Sequence, residues 1–569
     1  MKRRLDRLAT GTYDLLIIGG GIYGAWAAWD AALRGLSVAL IDGADFGGAT
    51  SANSQKIAHG GLRYLQTLDV MRMRESIRER RALLRLAPHL VRPMPCLMPT
   101  YGWGRYSRAA MRAAMGLNDL ISLDRNRRLT DPAQRIPMGR LISRTECLQW
   151  APDLHTAGLT GAAVWHDAQI YNTERLTLSV VLTAAAAGAA LANYVRATGF
   201  LMDGTAVRGV RAEDALTGSA FEIRARVVLN TSGPWVDRTL AALNGRRRAD
   251  RVPQVPLVKA VNLLTRPIGP PDAALAVASR TPSRNTPGLL FITPWRGRSI
   301  IGSTYAPFEG DPAQLAVSEA EVTEFLDDIN RALPKAHLRR EDVVFAHVGL
   351  LPGVPGQLPE GRPARFAKRY RLIDHQASDG VDGLLSVIGV KYTTARDVAE
   401  KAVDRVFDKL SRPRPVSRSA RAPLADGQMP RLDAFLAEAL RARPSWVSEA
   451  VIRHLALTYG TMYPDVLHWA KEDGGLAGRL TGTDVLRAEV AHAVQEEMAI
   501  RLADVVFRRT ELGSAGPVEP PALAECSAIM AEELGWDESR RRQEIEEVWD
   551  VFRRRGWQGA KLPSSAATG

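Results

Sequence analysis

Cysteine is scarce in this chain. Its 569 residues contain three, Cys96, Cys147 and Cys526, far apart and with no Cys-x-x-Cys pair or Cys/His cluster. That argues against zinc, iron–sulfur and a disulfide scaffold, so no metal site is expected, and it fits a reducing compartment. Long apolar runs are also lacking. No stretch approaches the roughly 18–20 apolar residues that cross a bilayer, so no segment is expected to span one. The start, Met1-Lys-Arg-Arg-Leu-Asp-Arg-Leu8, is basic but leads into no signal-peptide apolar stretch, because Leu15 to Ile18 is too short and belongs to a strand. The alanine-rich stretch Ala184 to Ala192, which contains Gly188, reads as a helix end. No internal repeat is present. Acidic residues are outnumbered, 62 against 75 basic, for a net charge of +13 and a pI near 9.8. This balance suits nucleic acid, anionic lipid or anionic substrates. No nucleic-acid-binding module accompanies the charge, so no nucleic acid is expected.

What is present is ordinary globular composition, 46% hydrophobic and 24% charged, in a length that suits about three domains. The most informative run is Asp14-Leu-Leu-Ile-Ile-Gly-Gly-Gly-Ile-Tyr-Gly24, followed by Ser37-Val-Ala-Leu-Ile-Asp42. It reads as strand, glycine turn, helix, strand and acidic tip. Gly19 allows the tight turn, Gly21 lets backbone approach a pyrophosphate, and Gly24 lets helix and strand pack closely. The free N–H groups of the helix start, at Ile22 and Tyr23, would face phosphates. Asp42 would accept from a ribose hydroxyl. The pattern predicts a dinucleotide-binding βαβ unit over residues 13–60.

Further along, residues 70–86 and 105–129 read as basic amphipathic helices, the first ended by Pro88. Residues 174–190 read as a helix and 191–198 as a strand. Asp203-Gly204 suggests a hairpin into Ala206–Arg211. Arg226 to Trp235 is a buried strand entering a glycine turn. Residues 318–332 read as a helix, Leu384 to Gly389 as a strand, and Thr394 to Leu410 as a helix. Ser411 to Pro423 is a proline- and arginine-rich linker, everything after about 431 is helical in pattern, and Lys561 to Gly569 reads as a disordered tail.

The segment Ala49-Thr-Ser-Ala-Asn-Ser-Gln-Lys-Ile-Ala-His-Gly-Gly-Leu-Arg-Tyr-Leu65 follows the ribose-binding strand directly. Small hydroxyl residues, the flexible pair Gly60-Gly61, and the polar groups of His59, Arg63 and Tyr64 are delivered at one point. This stretch resembles the motif of the FAD-dependent, respiratory, quinone-linked glycerol-3-phosphate dehydrogenases. The resemblance continues through Asn230-Thr-Ser-Gly-Pro-Trp-Val236, Thr293-Pro-Trp295, Ser299-Ile-Ile-Gly-Ser-Thr304, Gly310-Asp-Pro312 and Gly389-Val-Lys-Tyr-Thr-Thr394. It extends to Arg453-His-Leu-Ala-Leu-Thr-Tyr-Gly460 and Asp504-Val-Val-Phe-Arg-Arg-Thr510.

The resemblance implies an α/β fold: a Rossmann-like FAD-binding domain, an α+β substrate-binding cap domain and an all-α C-terminal domain. The expected bounds are 12–92, 155–240 and 340–412 for the first, 93–154 and 241–339 for the second, and 424–560 for the third. FAD is the implied cofactor. Gly19, Gly21, Ile22, Tyr23, Gly24, Asp42, Thr50 and Ser51 would hold its ADP half, with Val195 and Ala197 near the adenine and Thr231, Ser232 and Gly233 near the pyrophosphate. His59, Gly60, Gly61, Gly389, Lys391, Tyr392 and Thr393 would sit beside the isoalloxazine. His59, Arg63 and Lys391 are the expected catalytic residues. Arg63, Tyr64, Asn262, Lys368, Arg369 and Lys391 would bind substrate.

The implied activity is oxidation of the secondary alcohol of glycerol 3-phosphate, or of a similar hydroxylated substrate, to a ketone, with electrons passed to quinone. The alternative is a paralogue that oxidises a different hydroxy metabolite, with oxygen as a further candidate acceptor. Three departures motivate it. Gly349-Leu-Leu-Pro352 has Leu351 where the family has arginine. Lys259-Ala-Val-Asn262 lacks the family's Ser-His. Lys368-Arg-Tyr370 stands where the family has Arg-Asp-Tyr. Leucine offers no charge and lysine lacks arginine's two-pronged grip on phosphate. Expected partners are a small anionic or polyol substrate, quinone and an anionic membrane surface touched by the basic helices; a homodimer is left open. The expected location is cytoplasmic, or peripheral on the inner face of the plasma membrane.

Overall fold

The computed structural model describes residues 1–102, 104–243, 255–278, 288–354 and 366–559. The tail Lys561–Gly569 lies outside the described residues. After α1 (Leu5–Thr10), the first apolar run forms β1 (Thr12–Ile18), whose Leu15, Leu16 and Ile17 are fully buried. The glycine turn then delivers α2 (Ile22–Leu33), which packs back on the sheet with Trp26 and Trp29 inside.

Among the described residues, β1 lies inside an eight-stranded sheet. β2 (Val38–Ile41) and β7 (Ala190–Ala192) run parallel to it on one side. β10 (Ala220–Asn230) and β17 (Leu384–Ile388) run parallel on the other, edged by antiparallel β16 (Arg371–Asp374). The hairpin of β8 (Val195–Asp203) and β9 (Ala206–Asp214) continues from β10. Strand order therefore reverses at β1, which is where such sheets hold ligands beyond their carboxyl ends. α2, α6 (Thr173–Ala186) and α10 (Ala395–Lys409) cover one face through a continuous apolar core. α1, the hairpin and α7 (Val236–Ala241) cover the other. α9 (His375–Asp379) links β16 to β17.

The strand expected over 191–198 is broken. β7 ends at Ala192, β8 starts at Val195, and Tyr194 between them takes φ +55°. The cause is side-chain burial: Asn193 Nδ2 donates to Asp45 and to the Met498 carbonyl, and the Tyr194 hydroxyl donates to Asp504 at 2.6 Å. Likewise, the alanine-rich stretch contains the end of α6 and also all of β7.

The second sheet has nine strands in the order β15 (Val343–Pro352), β11 (Leu257–Thr265), β14 (Arg298–Phe308), β13 (Leu289–Trp295), β12 (Ala274–Ala278), β4 (Val91–Tyr101), β6 (Leu159–Ile170) and β3 (Ile57–Ala58). β5 (Arg140–Ile142) pairs with β6. β3, β6 and β15 fall in ranges expected for the FAD-binding domain, yet all three are hydrogen-bonded into this sheet. α8 (Glu319–Ala332), opened by a Ser318/Glu321 capping box, and α5 (Arg144–Trp150) pack on one face. α4 (Arg108–Ile121) covers the other, packing its Met111 and Met115 over Met94 and Met98 of β4.

α3 (Val70–Leu86) matches the first basic amphipathic stretch. Its arginines are mostly spoken for. Arg74 and Arg81 pair with Asp124, Arg80 with Asp167, Arg72 with Asp69, and Arg85 reaches the Ala420 carbonyl. The 411–423 linker lies against α2 and α10, tied by Ser417 to Asp30 and by Ser419 to Arg396.

The C-terminal region is helical: α11 (Leu432–Arg441), α12 (Glu449–Tyr459), α13 (Tyr463–Glu472), α14 (Arg487–Glu497), α15 (Leu502–Asp504), α16 (Pro520–Leu534) and α17 (Glu538–Arg554). Its main core is shared: Trp295, Ile300 and Phe345 of the second sheet pack among Val490, Val505, Val506 and Phe552. No helix among the described residues is long and apolar enough to cross a membrane.

Candidate active site

One end of the site is built from backbone. Gly19 takes φ +103°, and a Cβ there would lie 2.7 Å from the Thr231 carbonyl oxygen. A Cβ on Gly24 would lie 1.9 Å from Gly19 O, so only glycine lets α2 leave the strand this closely. Gly21 is the N-cap of α2 and brings no capping side chain, leaving the helix start open to an anion. The Ile22 N–H donates to Ser51 Oγ at 3.0 Å. Asp42, at the tip of β2, accepts from Gly20 N at 2.6 Å and Ala44 N at 2.9 Å. It forms no ion pair among the described residues. Burial raises its pKa to about 6, against these two N–H donors. A glycine-lined turn, a helix start with a side-chain-free N-cap and a carboxylate acceptor fit the phosphates and ribose of a dinucleotide.

The other end is built from charged side chains brought from distant segments. The turn at 389–391 is pinned by Tyr23: its hydroxyl donates to Lys391 O at 2.7 Å and accepts from the N–H groups of Val390 and Lys391 at 3.0 and 2.9 Å. A Cβ on Gly389 would strike the Tyr23 ring at 2.2 Å. The loop carrying His59 is fixed by buried Asp167, which accepts from Gly60 N, from Arg80 at 2.7 Å and from Trp165 Nε1 at 3.1 Å.

These supports bring four groups together. The Lys391 ammonium lies 4.3 Å from the Tyr64 ring centroid, the Arg72 guanidinium also 4.3 Å, and the His59 ring stands edge-on at 5.9 Å. Arg63 is exposed beside them, on the turn Leu62–Thr67, without a hydrogen-bond or ion-pair partner among the described residues. Burial, with Lys391, Arg63 and Arg80 adding to it, pushes the His59 pKa down to about 4, while Asp167 opposes the shift. Burial and the neighbouring Arg72 and Arg63 lower that of Lys391 to about 8. At neutral pH His59 is an uncharged acceptor next to a cation. A cleft of about 870 Å³ opens on the Arg72 and Lys391 side of this group, lined also by Arg78, Lys368 and Arg369. Lys368 is exposed and unpaired among the described residues; Arg369 is exposed, 3.4 Å from Asp69.

Several expected cofactor contacts are committed elsewhere by their side chains. The Tyr23 phenol serves the 389–391 turn. The Tyr392 phenol donates to Thr173 O and meets Thr177 on α6 at 2.9 Å. Thr50 bonds both backbone groups of Leu350. Thr231 donates to Gly19 O at 2.8 Å, and Ser232 to Asn230. Gly61 and Gly233 adopt positive φ, Thr393 is buried, Val195 N–H donates to Asp42 O at 2.7 Å, and Ala197 pairs with Ala212 in the hairpin. Asn262 is buried in β11; its side-chain oxygen accepts from Ser303 and packs on Gly302, so its amide braces the sheet. Leu351 is half-buried on β15 opposite Val258.

Sequence reasoning missed the supports: Asp167 with Arg80, and buried Lys56, which bonds Glu174 and Thr173. An acid inside the run Trp165–His166–Asp167 and a lysine in a small-residue loop were the only signals.

Comparison with known proteins agrees with this geometry. The family of FAD-dependent oxidoreductases matches residues 14–396, and the C-terminal domain of alpha-glycerophosphate oxidase matches 418–541. A glycerol-3-phosphate dehydrogenase of Synechocystis is 33% identical, covering 97% of this chain and 98% of that protein. Glycerol-3-phosphate dehydrogenase 2 of Mycobacterium tuberculosis is 31% identical over 93% of this chain and 86% of its own length. The crystal structure of the Bacillus halodurans glycerol-3-phosphate dehydrogenase, complexed with FAD, superposes with a TM-score of 0.76 at 25% identity, covering 98% of this chain and 99% of that one. The chain belongs to the FAD-dependent glycerol-3-phosphate dehydrogenase family and is a flavoprotein oxidoreductase acting on CH–OH groups.

Proposed function

We propose that this enzyme oxidises the secondary alcohol of glycerol 3-phosphate, or of a closely similar phosphorylated polyol, and that its electrons leave to quinone. The observation that carries this reading is a neutral His59 beside Lys391 and Arg63, with Lys391 also on the wall of a cationic cleft. Bound FAD supplies the two-electron acceptor for the substrate's hydride. His59 takes the hydroxyl proton; a histidine that is uncharged at neutral pH can accept one, and a protonated one could not. Lys391 and Arg63 hold the phosphate, with Lys368 and Arg369 drawing the anion into the cleft. Tyr64 is the wall that sets Lys391 and His59 at fixed separations. Asp42 and the glycine turn serve the ADP half, and the segments around Val195, Thr231 and Gly389 contribute backbone.

Leu351 favours a second reading, a related hydroxy substrate with a smaller demand for charge. An arginine at 351 would supply a charge-assisted contact of about 1.5–3 kcal/mol that leucine cannot. We assign the membrane-facing surface to α4 and its neighbours, because most of the α3 arginines are engaged internally. Leu120 and Leu123 are 64% and 76% exposed and Met71 80%, the mixed apolar and basic character of an interfacial contact. Anaerobic addition of glycerol 3-phosphate, read by loss of flavin absorbance, tests the assignment. Bleaching supports the first substrate, bleaching only by other polyols the second, and no bleaching by any of a broad panel contradicts both.

A further inference from the structure

The motif Asp504-Val-Val-Phe-Arg-Arg-Thr510 belongs to the helical C-terminal domain, and nothing in the proposed chemistry uses it. Its two arginines nevertheless reach across to the FAD-binding domain. Arg509 is fully buried and donates to both oxygens of Asp45, at 2.6 and 2.8 Å, and to the Glu497 carbonyl at 2.9 Å. Arg508 donates through Nε to the same Asp45 and through its terminal nitrogen to Asp504 at 2.5 Å. Asp504 in turn accepts from the Tyr194 hydroxyl and from the N–H groups of Ile500 and Arg501. Asn193 completes the shell of Asp45.

Asp45 lies in the loop that follows Asp42, the carboxylate suited to the ribose. That loop is wired to the rest of the ADP end. Gly48 N–H donates to Asp45 O at 3.2 Å, Gly47 N–H to Gly20 O in the glycine turn at 3.1 Å, and Tyr194 N–H to Ala44 O at 2.9 Å. A Cβ on Gly48 would lie 3.8 Å from the Arg508 guanidinium. Buried Asp45 without its two cations would be an uncompensated charge, and the loop would have to move to hydrate it.

We propose that the C-terminal domain completes the ADP end of the FAD cradle, with Arg508 and Arg509 as positioning residues that hold Asp45 and so fix the 42–48 loop against the glycine turn. The broken strand at Asn193–Tyr194 is part of the same device, since both side chains are drawn into this cluster. The domain therefore acts on cofactor retention from a distance, without supplying a group to the ring end. The electrostatics are consistent: burial alone would raise the Asp45 carboxyl, but the two guanidiniums outweigh it and hold it well below the usual range.

The test measures dissociation constants of FAD and of ADP alone for the full-length apoprotein, together with its melting temperature. Arg509→Gln is expected to weaken both ligands roughly tenfold or more, the loss typical of a broken charge-assisted contact. Arg296→Gln is the control. Arg296 ties the second sheet to the same helical domain through Glu511 and Ser514 at 2.6 and 2.7 Å, away from the ribose loop. It should lower the melting temperature while leaving both constants within about twofold. Should Arg509→Gln not be recovered folded, Arg508→Gln, whose side chain is 13% exposed, is measured the same way. Unchanged FAD and ADP binding in the arginine variant, or equal weakening in Arg296→Gln, overturns the proposal. Wild-type FAD binding in the same assay separates this outcome from a failure of the flavin assignment.

Discussion

At the ADP end, Gly19, Gly21 and Gly24 work through the backbone of one short turn, and a single Cβ would collide with Gly19 O at 1.9 Å. At the proposed ring end, His59, Tyr64, Arg72 and Lys391 come from three separate segments and work through charge, with the pKa values of His59 and Lys391 both lowered. The first end is a shape that tolerates one residue type. The second is a balance of fields that tolerates substitution of any one member with a graded loss. Breaking the ADP end should therefore abolish the cofactor, and breaking the ring end should leave a yellow but slow enzyme.

The largest expected effect is Gly24→Val. Its side chain cannot fit against Gly19 O, so the purified variant should carry no flavin absorbance; retention of FAD would contradict the close-packed turn. Next is His59→Asn, expected to keep FAD content but lose about 10²–10⁴ in kcat, the range of a general base. Unchanged turnover would reduce His59 to a hydrogen-bonding support. Lys391→Met should retain FAD and lower kcat/KM for glycerol 3-phosphate by about 10–100-fold, equivalent to one charge-assisted bond.

The pH dependence sharpens the contrast. The Lys391 pKa is lowered to about 8, so the ammonium and its grip on an anion are present below pH 8 and lost above it. KM for glycerol 3-phosphate should rise as pH passes 8, and Lys391→Arg should remove that rise. His59, with its pKa near 4, stays neutral throughout this range and contributes nothing to the inflection. The smallest effect is Tyr392→Phe. It removes the phenol's donation to Thr173 O and its contact with Thr177, and should cost about 1 kcal/mol in denaturant unfolding while sparing kcat.

The glycine turn with its flanking strand and helix was legible in the sequence because its requirements are local. Glycine spacing, two apolar strands and an acidic tip are all written within β1, α2 and β2. α3 and the hairpin at Asp203-Gly204 were readable for the same reason, helical periodicity and turn chemistry. That His59 and Lys391 come together was readable only through resemblance to a family, since nothing local in either announces the other. Side-chain commitments were not legible at all. Tyr23 and Tyr392 stand in cofactor motifs yet spend their phenols on the 389–391 turn and on α6. Tyr194 breaks a strand because a C-terminal aspartate, Asp504, buries its hydroxyl. Strand membership was not legible because it is decided by hydrogen-bonding partners: β6 and β15 join the second sheet although the strands that follow them, β7 and β16, belong to the first.

The most direct test of the ring-end account is an anaerobic titration of the wild-type and Lys391→Met enzymes with glycerol 3-phosphate, followed by flavin absorbance. The wild type is expected to bleach fully, and the variant only at substrate concentrations at least about tenfold higher. Equal bleaching curves for the two proteins, or no bleaching of the wild type, would contradict it.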